Sequence, residues 1–264
     1  MAGPTTAERG ERQKLKSGPP RPPRPVRLRR LRVLIVLLVA MVLVGGGVVW
    51  LLYGSQWLRV ERLSVSGTRV LTARQVREAA EVPEGTPLVS VDTDAVEARL
   101  LRRLPRIDSV DVVRSWPHGI GLKVTERTPV LVVEQPGKRG KYIEVDAKGV
   151  RFGTVSRAPK NVALLELTPS RSAALRRFPA DRLVREAVRV AGDIPPAVAR
   201  ATRTVKVRSY DSISLELSDG RDVEWGSGEK GRAKARTLTA LMKAAPKARH
   251  FDVSVPTAPS SAGS

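Results

Sequence analysis

The 264-residue chain contains no cysteine, which excludes disulfides, thiol nucleophiles and cysteine-ligated metals. Histidine is nearly as scarce. His118 and His250 leave little basis for a histidine-rich metal site or a serine triad. Aromatic residues make up 4% of the chain and are not interleaved with its basic residues, so no specific nucleic acid is expected. Acidic residues are also in short supply. There are 26 of them against 47 Lys plus Arg, a net charge of +21, which favours an anionic partner such as a membrane surface or an acidic wall polymer. Hydrophobic residues still reach 41%, enough for the cores of one or two domains.

One stretch stands apart. Val33 to Tyr53 carries no charge and shows no polar stripe. At roughly 1.5 Å per residue, a helix of this length spans about 31 Å, the thickness of a bilayer's hydrocarbon core. The stretch predicts a single transmembrane helix over 33–53. It exceeds the usual length of a signal-peptide core, and no small-x-small cleavage pattern follows it. Residues 1–32 hold ten basic residues against Glu8 and Glu11, and their proline-rich composition predicts a disordered cytoplasmic tail. Arg21 to Pro25 reads as a spacer or as a polyproline recognition motif. Arg30 and Arg32 on the inner side, and Trp50, Tyr53 and Trp57 on the outer, are the expected membrane-interface residues in contact with the lipid bilayer. Gly45, Gly46 and Gly47 would let a second helix approach closely, although glycine is common in such spans.

Beyond the span, Val60 to Ser66 predicts a strand ending at Gly67. Thr72 and Gln75 form a capping-box signature for a short helix to Ala80. A second helix starts near Asp92 or Asp94 and runs to Leu104, and two strands follow around Val110 and Val124 with a turn at Trp116–Gly119. The order is βααββ. Val60 to Val130 resembles the POTRA domain of the FtsQ/DivIB cell-division family. The shared marks are the strand exit from Val65 to Thr72, the G-x-P-L loop from Gly85 to Leu88, and the V-T-E-R-x-P strand from Val124 to Pro129.

The resemblance implies an α+β protein: an N-terminal transmembrane helix, a POTRA domain at 58–127, a second β-rich domain at 128–256 and a flexible tail at 257–264. Strands at 130–134, 142–145 and 150–153, an apolar run at 161–167, a helix at 181–190, strands around Val205, Leu215 and Val223, a helix at 229–245 and a final strand at 250–255 fit that second domain. The family implies a non-enzymatic scaffold of the division machinery that binds proteins of the FtsB and FtsL type and links them to septal wall synthesis. The strand after the last helix takes up those partners, and here it matches Arg249, His250, Phe251, Asp252, Val253 and Ser254. As an edge strand it would offer unpaired backbone groups, with Phe251 as an apolar anchor. Phe251 and Val253 can equally fill the domain's own core.

The sequence carries one tempting catalytic motif. Gly226 to Gly231 satisfies G-x-G-x-x-G between a strand and a helix, as in dinucleotide sites. Arg232 and Ala233, however, stand where a phosphate loop needs lysine and a hydroxyl, and only one strand remains for a βαβ unit. No catalytic residue, cofactor, metal or small-molecule substrate is expected. The rival readings are a POTRA-bearing transport or chaperone component and a tethered binder of anionic polymer. The first lacks repeated POTRA units and a barrel, and the second has its basic residues scattered among acids.

Overall fold

The computed structural model describes residues 26–168 and 179–263. It divides into two units, residues 1–55 and 56–264. The tail expected to be disordered, with its Arg21–Pro25 motif, lies outside the described residues up to Pro25. Its last seven residues are helical instead. Helix α1 spans Val26–Val49 and ends in a wide turn, Trp50–Gly54, closed by the Ser55 N–H donating to the Trp50 carbonyl at 3.0 Å. The helix thus begins before Val33 and takes in Arg29, Arg30 and Arg32, because arginine propagates a helix readily. It is long and apolar enough to cross a membrane.

The second unit opens with β1 (Arg62–Ser66), α2 (Ala73–Ala80), α3 (Thr93–Arg103), β2 (Ile107–Ser115) and β3 (Gly119–Glu126). This is the expected βααββ order. The Thr72 hydroxyl accepts from the Gln75 N–H at 3.2 Å while the Gln75 side chain accepts from the Thr72 N–H at 2.9 Å, which fixes the start of α2. The Asp92 carboxylate caps α3 through Ala95 N–H. The strands lie in the order β1-β3-β2, with β1 parallel and β2 antiparallel to β3. The alternation of β3 turns Ile120, Leu122 and Val124 onto Val76, Ala80, Leu88, Val96 and Leu100, which form one closed core.

Two of the quoted sequence marks have direct structural causes. Gly67 has φ +84°, and a Cβ there would lie 2.1 Å from the Val124 carbonyl oxygen, so only glycine fits. Glu126, in the V-T-E-R-x-P strand, accepts from three successive N–H groups, those of Arg69, Val70 and Leu71. The exit of β1 is thereby tied to the end of β3.

A second core is built on nine strands. They are β4 (Leu131–Glu134), β5 (Tyr142–Val145), β6 (Arg151–Val155), β7 (Ala163–Leu167), β8 (Thr202–Ser209), β9 (Ser212–Leu217), β10 (Asp222–Gly226), β11 (His250–Asp252) and β12 (Ser260–Ala262). Their order is β12-β11-β10-β9-β8-β7-β4-β5-β6. Among the described residues, helices α4 (Ala180–Asp193), α5 (Pro196–Ala201) and α6 (Gly231–Ala244) accompany this sheet. The buried face of α4 (Leu183, Val184, Ala187, Val188 and Val190) joins Val205, Val207, Leu215 and Trp225 in this core. Its exposed side includes Arg182, Arg185 and Arg189. The pair Pro195-Pro196 starts α5, since the first helical position needs no N–H.

Charged side chains join the two cores. Arg106 pairs with Glu144 and lies over the Phe152 ring, while Arg127 pairs with Asp146 and with Asp108 at 3.0 Å. Lys148 reaches Asp108 at 2.7 Å. Glu144 and Asp146 are buried, so these pairs are partly desolvated and far less screened than exposed ones.

Candidate functional site

Strand β10, helix α6 and strand β11 form a β-α-β unit, because β11 runs parallel to β10. This corrects the expectation that no such unit could follow the glycine-rich motif. The turn from Gly226 to Lys230 therefore has the backbone setting of a dinucleotide loop, but its interior is already occupied. Glu186 accepts from the Gly228 N–H at 2.9 Å, and a Cβ on Gly231 would lie 2.0 Å from an Asp193 carboxylate oxygen. Two carboxylates thus face the backbone where a phosphate would sit, and their charge opposes one. Lys234 turns back beneath the loop and donates to the carbonyls of Trp225 and Ser227, both at 2.8 Å. Burial pushes its ammonium below the usual lysine range, with Glu229 and Asp211 working against the shift. The turn is a structural hinge pin for β10 and α6. Among the described residues, no group of three or more acids or histidines is placed to hold a metal.

Strand β11 presents the residues expected to bind partners. Arg249 and His250 are exposed, and Asp252 and Ser254 are half-buried. Phe251 and Val253 are 0% exposed and belong to the second core, with Phe251 in register with Val223. Of its two expected roles, Phe251 fills the core one. Its backbone neighbours are also in use, since β11 is shorter than the expected 250–255 strand and does not form the sheet edge. Strand β12, drawn from the stretch expected to be a flexible tail, pairs with it antiparallel through His250↔Ala262, Phe251↔Ser261 and Asp252↔Ser260. The Arg249 N–H donates to Ala262 at 3.1 Å and to Gly263 at 2.9 Å.

The physical reason is the demand of an open strand for backbone partners, which the nearest segment able to turn back supplies. No sequence signal marks β12. Ser260, Ser261 and Ala262 are small, all three are exposed, and they show no apolar alternation. The strand is held by backbone bonds worth about 0.5–1.5 kcal/mol each, against an ordering cost of about 1–2 kcal/mol per residue. Its pairing is close to balanced.

On the face of the sheet opposite the helices, Glu224 lies in register with Asp252, and Asp222 with His250. Desolvation, reinforced by the charge of Asp252, raises the Glu224 carboxyl above its ordinary value; Arg208 and His250 offset part of that shift. On the helix side, Ala245, Pro246 and Ala248 leave a shallow pocket of about 340 Å³ beside Ser261.

The expected membrane-interface residues Arg30, Arg32, Trp50 and Tyr53 are exposed in the first unit. Trp57, in the second unit, is 64% exposed, and its ring stands edge-on to His118 at 6.1 Å.

Residues 58–127 match the POTRA domain, FtsQ-type, family. Over its full length the chain is 72% identical to a cell division protein FtsQ of Streptomyces collinus and 71% identical to that of Streptomyces coelicolor, covering 100% of each. It is 34% identical to the FtsQ of Mycolicibacterium smegmatis over 79% of this chain and 59% of that protein. The extracytoplasmic domain of the cell division protein DivIB from Geobacillus stearothermophilus overlaps 50% of this chain and 97% of its own, at 16% identity and a TM-score of 0.32, too distant to bear on the fold. The chain belongs to the FtsQ/DivIB family of bacterial cell-division proteins.

Proposed function

We propose that the chain is a single-pass, non-enzymatic scaffold of the septum, with residues 1–32 in the cytoplasm, a span at 33–53, and POTRA and β-rich modules at 58–127 and 128–256 outside the membrane. In this reading the side of β11 that β12 covers accepts an extended segment of a division protein of the FtsB or FtsL type, and so links it to septal wall synthesis. The observation that carries the reading is the C-terminal edge of the nine-stranded sheet, where small, exposed residues alone cover a strand anchored on a buried Phe251. Strand addition at such an edge takes its affinity from main-chain bonds and its specificity from alternate side chains. The basic residues before the span favour a cytoplasmic N-terminus.

The test is capture of the full chain, tagged at its N-terminus, from membranes of dividing cells after cross-linking. Recovery of single-span division proteins is expected. Capture without any division protein would sink the partner assignment. A fluorescent N-terminal fusion should form bands at septa, and an even membrane signal during septation would sink the localisation.

A further inference from the structure

The occupant of the sheet edge makes little use of what the edge offers. Residues paired across an antiparallel ladder share a face, so Ser261, opposite Phe251, lies on the helix side, where with Ala262 and Gly263 it walls a pocket of about 340 Å³ whose other side is Ala245, Pro246, Lys247 and Ala248. A serine is too small to fill that space. Ser260, opposite Asp252, lies on the other face beside the Asp252 and Glu224 carboxylates and brings them no countercharge. What holds β12 in place is its backbone pairing together with its tether. Only residues 253–259 separate it from β11, and Ala258 N–H to Val255 (3.0 Å) and the Thr237 hydroxyl to Pro256 (3.3 Å) shape that loop. A tether this short supplies a local concentration on the order of millimolar, enough to seat a strand that has no apolar anchor.

We infer that β12 is a placeholder, exchanged for an extended partner segment that sets a large apolar side chain opposite Phe251 and a cation opposite Asp252. This rests on the reading that β11 binds partners along the side β12 covers, and it adds the regulation of that site: β12 occupies that side until a better-matched strand replaces it. The apolar side chain fills the pocket beside Ala248, and the cation lies beside the Asp252 and Glu224 carboxylates, which the β10–β11 register sets side by side. Partner strands lacking both features do not overcome the tether.

The experiment uses the purified full chain in detergent, a chain ending at Thr257, and a full chain with His250→Cys and Ala262→Cys. Native cysteine is absent, so the new pair oxidises only with itself, and either kind of antiparallel pair has a Cα spacing compatible with a disulfide. The probe is a fluorescein-labelled peptide of residues 257–263 carrying Ser260→Lys and Ser261→Leu, with the unsubstituted peptide beside it. The shortened chain should bind the substituted peptide at least about ten-fold more tightly than the full chain. It should prefer that peptide over the unsubstituted one by a similar factor. The oxidised chain should not bind until it is reduced. Equal binding by all three chains overturns the inference, and so does loss of binding on shortening, which would put docking on β12 itself. An unchanged thermal midpoint for the shortened chain shows that it folds. The partner assignment is read separately: if oxidised and reduced chains capture division proteins equally, those partners bind elsewhere, whereas the exchange itself is decided by the titration.

Discussion

Glu126 ties Arg69, Val70 and Leu71 to the end of β3 through their N–H groups, and its ionised form is the one those donors favour. Burial raises its proton affinity, but the three N–H donors and the nearby Arg106 outweigh that and hold its carboxyl below the usual range. A carboxyl lowered on folding contributes stability that is complete above its unfolded value and lost as pH falls through the folded one. Glu126→Gln should therefore cost about 1–3 kcal/mol at neutral pH, a cost that shrinks as pH falls below the ordinary glutamate range, measured by urea unfolding at neutral and at acid pH. An equal loss at both pH values would show that the charge is irrelevant. Phe251 sits at the other extreme, fully buried with no charge to titrate. Truncation to alanine should cost about 3–5 kcal/mol in the same assay, so Phe251 variants report on folding before they report on binding.

Between elements, the junction of the two cores rests on Arg106, Arg127 and Lys148 from one side or the other meeting Glu144, Asp146 and Asp108. Arg127→Ala leaves the buried Asp146 carboxylate with backbone donors but no cation and should cost about 3 kcal/mol. Calorimetry should then resolve two transitions for the variant and a single one for the native protein, because each core keeps its own apolar contacts. A single, undisplaced transition would mean that the pairs do not couple the cores. The edge strands illustrate a different balance. β11 buries Phe251, whereas β12 buries no apolar side chain, so the first is held by packing and the second by hydrogen bonds and a tether.

For the whole molecule, the proposal of a cytoplasmic N-terminus and an exported second unit can be tested directly, because the native chain has no cysteine. In intact cells stripped of their walls, a membrane-impermeant maleimide should label Ser260→Cys at once. It should label Ser17→Cys only after lysis. The opposite pattern would invert the topology and remove the extracytoplasmic binding site with it.

The sequence by itself determined the long apolar helix, the βααββ order and most strands of the second sheet, because uniform apolarity, the Thr72–Gln75 capping box and period-two alternation are local signals. Gly67 and Glu126 lie within the stretches shared with the family, but their roles were not legible there, since the Val124 carbonyl and the N–H groups of residues 69–71 meet them only across the folded sheet. Start signals hidden in breakers were harder to read. Pro196 marks the end of one helix and the start of another equally well. The tertiary structure alone decided the edge. Whether Phe251 faces a partner or the core depends on register with Val223, and whether β11 is open depends on a tail with no pattern of its own. Backbone hydrogen bonding is indifferent to side-chain identity, so a strand made only by its neighbour's unmet N–H and C=O groups leaves no trace in the order of residues.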